Sequence, residues 1–134
     1  HRTLEKFPEV NFIGHAQTWW GNVDKNHKQE IMYPKTKVNS GGISDKLLSN
    51  YPNMYGDFSA GSGLNSMLRD EEHAKDFIAR HPNQLLYGSD CPDAAGRGGG
   101  CKGSVILATI RRLAKDKEVE HKILHDNSKK LFKL

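Results

Sequence analysis

Asp90 ends the run Gln84-Leu85-Leu86-Tyr87-Gly88-Ser89 and is followed at once by Cys91-Pro92-Asp93 and a glycine-rich stretch. A short apolar run that stops at a carboxylate is how a buried parallel strand delivers an acid, because residues just past strand C-termini face the ligand crevice in α/β folds. His15 stands in the same relation to Val10-Asn11-Phe12-Ile13-Gly14, and Asp57, with Ser59 two residues on, to Asn53-Met54-Tyr55-Gly56. An imidazole and a carboxylate on one rim suit metal binding and proton transfer: the neutral ring offers a lone pair, and the carboxylate binds a cation or takes a proton from water. Each residue also has a purely structural reading. Asp90 would cap the following turn, His15 would be a satisfied histidine at a strand end, and Asp57 would hold the backbone amides of residues 60–63 instead of orienting a ligand. Repetition of the pattern at three strand ends points to the shared site.

The elements that must position these residues alternate. Ser44 is placed to cap a short helix carrying Leu47 and Leu48, and Asp70 a longer one in which Ala74, Phe77 and Ile78 recur at helical spacing. After the third apolar run, Val105, Ile106, Thr109, Ile110 and Leu113 mark an amphipathic helix, followed by shorter helical segments over 119–124 and 128–134. Strand, helix, strand, helix, strand, helix predicts parallel strands joined by crossovers. His15, Asp57 and Asp90 then fall at the same end of one sheet.

Four blocks carry a family resemblance: Phe7-Pro8-Glu9-Val10-Asn11-Phe12-Ile13-Gly14-His15, Tyr51-Pro52-Asn53-Met54-Tyr55-Gly56-Asp57-Phe58-Ser59, Leu85-Leu86-Tyr87-Gly88-Ser89-Asp90-Cys91-Pro92 and Leu124-His125-Asp126-Asn127-Ser128-Lys129-Lys130-Leu131-Phe132. In this order they resemble the closing motifs of amidohydrolase-related metal-dependent hydrolases, the branch of the amidohydrolase superfamily that includes aminocarboxymuconate-semialdehyde decarboxylase-like enzymes. The resemblance implies an α/β fold, part of a TIM-type (β/α) barrel: three parallel strands with helices, corresponding to the last three βα units. It implies that His15 and Asp90 are catalytic and ligate a divalent metal, most often zinc, in the complete enzyme, with Asp90 also handling the proton of the attacking water. Asp57 and Ser59 would support the ligands from behind. The implied reaction is hydrolysis of an ester, lactone or amide of a small-molecule substrate by metal-activated water, or the decarboxylation known in the same branch.

The family's His-x-His pair has no counterpart, since none of the seven histidines lies two residues from another. A complete barrel takes about 250 residues, against 134 here. The expectation is that residues 1–134 form one unit, the C-terminal portion of a hydrolase barrel. It would be inactive alone, and would pair its open sheet edges with the missing N-terminal half or with another copy.

Trp19 and Trp20, four and five residues past His15, are candidate substrate contacts, with barrel-mouth packing as the other reading of each. Residues 21–42 are polar and aperiodic, as in a lid or binding surface. The loop 93–104 fails the P-loop pattern because Lys102 stands between Cys101 and Gly103. Its amides, with Arg97 and Lys102, would nonetheless suit an anion, which makes a non-hydrolytic phosphate- or carboxylate-binding module the alternative function. Cys91 and Cys101 bracket that loop and either close it as a disulfide or remain free thiols.

Twenty Lys and Arg against sixteen Asp and Glu give a net charge of +4. The basic residues are scattered, with no stripe interleaved with stacking aromatics, which argues against nucleic acid as a partner. No apolar run is long enough to span a membrane.

Overall fold

The computed structural model describes residues 1–134 and contains a three-stranded sheet in the order β1-β2-β3, built from β1 (Phe12–Gly14), β2 (Met54–Asp57) and β3 (Leu85–Leu86). Both pairings are parallel, with Gly14 opposite Gly56 and Asp57 opposite Leu86. The order of elements is α1 (Arg2–Lys6), β1, α2 (Ala16–Gly21), α3 (Ile43–Asn50), β2, α4 (Ala60–Leu68), α5 (Glu71–Arg80), β3, α6 (Gly103–Leu113), α7 (Lys117–His121), a π-helical turn (Lys122–Asp126) and α8 (Asn127–Phe132). Three consecutive strand–helix units thus make a partial (β/α) arrangement, as the alternation predicts.

Side chains alternate across a strand. Met54, Gly56 and Leu85 share the face that meets the helices, where Trp20, Phe58, Met67, Phe77, Ile78, Ile106, Ile110 and Ile123 form the core. Trp20 stacks on Phe58 with ring centroids 4.6 Å apart, and Phe77 meets it edge-on at 6.2 Å. Ile13, Tyr55, Asp57 and Leu86 occupy the opposite face, and Ile13 is exposed at the free edge of β1.

The strands are short, so the chain entering each of them is held by side-chain amides. Asn53 Nδ2 donates to the carbonyls of Leu4, Phe7 and Val10. Gln84 Nε2 donates to those of Leu48, Tyr51 and Met54, and Asn127 Nδ2 to those of Pro82 and Leu85. These groups satisfy carbonyls that no strand partner reaches, and they gather at the N-terminal ends of β2 and β3, away from the residues with chemistry.

Helix ends depart from the sequence reading in two places. α3 begins at Ile43 after Gly42, so Ser44 lies inside it, and its hydroxyl donates to Trp19 O at 2.6 Å instead of capping. Residues 60–63 are the first turn of α4 and not an isolated turn. Asp70 caps α5 as expected, accepting from His73 N. The two closing helical segments are joined by the π turn into a continuous helical stretch.

Gly14 explains how β1 meets the helical layer. A Cβ there would lie 2.1 Å from Trp19 Cδ2, so the indole rests directly on the glycine. Gly14→Ala is expected to displace Trp19 and cost roughly 1–3 kcal/mol, as overpacking a tight contact does. A lowered thermal midpoint with altered tryptophan fluorescence checks this; an unchanged midpoint refutes the close packing.

Candidate active site

The chain leaves each strand through a left-handed residue. Ala16 (φ 69°), Ala60 (φ 63°) and Asp90 (φ 50°) all lie just past the C-terminal end of a strand. Non-glycine residues in this region carry strain of about 1–3 kcal/mol each and concentrate at functional sites. Here the kinks turn the backbone sharply after His15, after Ser59 and at Asp90 itself.

His15 and Asp57 come together as the register requires, both on the face opposite the core. His15 Nδ1 lies 3.1 Å from Asp57 Oδ2 and 3.3 Å from Ser59 Oγ. Ser59 Oγ donates to Asp57 Oδ2 at 2.7 Å, and Ser59 N donates to Oδ1 at 2.9 Å. Asp57 is further fixed from the core side, where Trp20 Nε1 donates to its carbonyl at 2.8 Å. The ionised carboxylate only accepts, so Nδ1 of His15 must carry the proton. Nε2 then presents its lone pair from a side chain that is 45% exposed. A carboxylate fixing the far nitrogen of a histidine is how metal-binding imidazoles are oriented. The donor chemistry at His15 therefore fits a divalent cation of the zinc type. Asp57 hydrogen-bonds His15, and the backbone amide it holds is that of Ser59, not those of residues 60–63.

Asp90 is exposed and takes no part in the hydrogen bonds of this cluster. The one set of three His, Cys, Asp or Glu side chains whose donor atoms all lie within 4.8 Å of one another is His121, His125 and Asp126 on the surface. There hydrogen bonds from His125 and then His121 hold the Asp126 carboxyl below its ordinary value. His15, Asp57 and Asp90 do not close into such a set.

Among the candidate pocket residues, Trp20 is corrected: it is 2% exposed and belongs to the core, leaving no surface for substrate. Trp19 is half-buried and lines a cleft of about 390 Å³ with Ile13, His15, Ile43 and Leu47 along the free edge of β1. Arg97 lies on the exposed glycine loop, where its amide and that of Gly98 donate to Asp93 Oδ1 and Oδ2 at 3.1 and 2.8 Å. These hydrogen bonds hold Asp93 below the usual carboxylate range. The anion cradled by the loop amides is thus the chain's own carboxylate, which removes the support for an external anion there. Cys91 and Cys101 are joined as a disulfide that closes this loop beside Asp90.

The sequence reading missed the direct contact of Ser59 with His15, and also Tyr33, whose hydroxyl accepts from Gln17 Nε2 at 3.0 Å and whose ring lies near Gly61 at the start of α4. Nothing local marks Tyr33, since it comes from the aperiodic loop.

Parallel strands with crossover helices, and polar side chains gathered past the strands' C-terminal ends, define an α/β protein of the strand-end-site class. The family model for amidohydrolase matches residues 46–134, and the chain belongs to that family. The matched span contains Asp57, Ser59 and Asp90; His15 precedes it and joins it through the hydrogen bonds above. No curated protein and no solved structure gives a significant match to the chain.

Proposed function

We propose that the chain is the C-terminal part of a metal-dependent hydrolase barrel, in the aminocarboxymuconate-semialdehyde decarboxylase-like branch of the superfamily, that cleaves an ester, lactone or amide of a small molecule. The observation that carries this is His15, with Nδ1 tied to Asp57 and Nε2 left free at the rim where Asp90 also emerges. A bound divalent ion supplies a water of lowered pKa to the site. His15 and Asp90 would hold the ion, Asp57 and Ser59 keep the imidazole in one tautomer, and Asp90 accepts the proton released from water. Catalytic zinc takes about three protein ligands, so the donor set is completed by groups outside these 134 residues. The exposed edge of β1, with Ile13 and the Trp19 cleft, is where a further strand of the barrel would pair.

The test is zinc binding and turnover measured together. The 134-residue chain, with His121 and His125 changed to alanine to remove the surface donors, is expected to bind zinc weakly and to release no product from chromogenic esters. The assembled enzyme is expected to turn over and to lose activity with chelator and with His15→Ala. Chelator-sensitive turnover by the 134-residue chain alone would refute the incomplete donor set; full activity in His15→Ala would refute the metal site.

A further inference from the structure

The polar loop after α2 covers a cleft of about 370 Å³ that shares no residue with the His15 site. Its lining includes Asp24, His27, Lys28, Lys37, Asn39 and Arg69. Arg69, at the C-terminal end of α4, enters the cleft with its side chain only 2% exposed. Its Nη2 lies 3.7 Å from Asp24 Oδ2, beyond hydrogen-bonding distance. Neither Nε nor Nη2 has any hydrogen-bond partner. Asp24 is engaged elsewhere, with Oδ1 accepting from Asn26 N at 2.9 Å and Asn39 Nδ2 at 3.3 Å.

A guanidinium offers five donors in a planar fork, and a buried one without acceptors is unfavourable. Asp24 and Asp70 both offset the charge of Arg69, but neither satisfies the hydrogen bonds of its Nε and Nη2. Lys28 and Lys37 also line the cleft; Lys37 meets the exposed Glu72 at 3.7 Å and lies in the field of Asp70, whose oxygens are taken by the amides of Val38 and His73. What Arg69 Nε and Nη2 lack is an oxygen acceptor within hydrogen-bonding distance. The glycine loop shows the opposite case, its amides being already filled by Asp93.

We infer that this cleft binds a small oxyanion, a carboxylate or a phosphate group, with Arg69 as the buried fork and Lys28 and Lys37 as the flanking cations. Planar or tetrahedral oxygens accept two guanidinium N–H groups at once, which is the geometry Arg69 leaves open. The site is separate from the proposed hydrolytic one, so either stands if the other fails.

Titration calorimetry of the chain in low-salt, phosphate-free buffer tests this, with inorganic phosphate in one arm and acetate in the other. Saturable one-to-one binding of at least one anion is expected, with a rise in thermal midpoint at saturation. Saturation by phosphate alone assigns a phosphate ligand, and by acetate alone a carboxylate. The double variant Lys28→Gln, Lys37→Gln alters only exposed side chains and is expected to bind at least about tenfold more weakly while unfolding normally. Arg69→Gln, where it folds, is expected to abolish binding. Failure of both anions to saturate overturns the inference, as does unchanged affinity in the double variant or retained affinity in folded Arg69→Gln.

Discussion

In the proposed metal-dependent hydrolase, Asp90→Asn is expected to lower kcat by roughly a thousandfold, within the 10²–10⁴ range that loss of a general base produces. The substitution is clean for a structural reason. Asp90 sits at φ 50°, and Asn is one of the few residues that accept left-handed backbone as readily as Asp. The amide keeps the shape of the side chain but cannot take a proton from water. Metal content should remain near that of the parent, because the other donors are untouched, and kcat should fall more than KM changes. Atomic absorption together with steady-state kinetics on a chromogenic ester separates these effects. Parent-like kcat in a folded, metal-loaded variant would make Asp90 a turn residue and nothing more. A variant that loses its metal would instead mark Asp90 chiefly as a ligand.

The parallel sheet was legible because its strands are apolar runs that stop at polar residues, and because Asp70, Ala74, Phe77 and Ile78 mark a helix between two of them. α4 was not legible. Its sequence Ala-Gly-Ser-Gly reads as a turn, yet it opens a helix that buries Met67 in the core, and Gly63 is needed there because a Cβ would lie 2.1 Å from Phe58 O; packing overrides propensity. The pairing of His15 with Asp57 lay one step beyond reach. Both were visible at strand ends, but their contact depends on Gly14 facing Gly56, and register is not written in either strand alone. Trp19 and Trp20 show the same limit. Adjacent helical residues point about 100° apart, so one fills the core while the other edges the cleft, and type alone does not say which. Arg69 and Asp24 are far apart in sequence and become a pair only when the loop folds back.

Asp45→Asn should be the most damaging substitution outside the site, costing about 3 kcal/mol and on the order of 10 °C in thermal midpoint. Asp45 is 6% exposed in the first turn of α3. Its Oδ1 receives Arg80 Nη1 and lies 2.7 Å from Nε2 of His81, which is 3% exposed. Removing the carboxylate leaves the buried His81 and the partly exposed Arg80 with a weaker acceptor; the exposure of Arg80 keeps the cost toward the low end of that for a broken buried pair. The same cluster sets the response to acid. Burial alone would raise Asp45, but hydrogen bonds from Arg80 and His81 outweigh it and hold the carboxyl below its ordinary value. Burial lowers His81, and also His73 on the next-but-one turn of α5, so both rings are neutral in the fold. The unfolded chain therefore binds protons that the folded chain refuses, and stability must fall with pH. The loss begins near the ordinary histidine value of 6.5 and continues as pH drops through the folded pKa of Asp45. Thermal unfolding at pH 7 and pH 5 is expected to show a lower midpoint at pH 5. Below the folded pKa of Asp45, the gap between parent and Asp45→Asn should narrow, because the parent carboxyl is then neutral too. A midpoint that stays flat from pH 7 to pH 5, or a variant as stable as the parent at pH 7, would mean that Asp45, Arg80 and His81 are not what fastens α3 to α5.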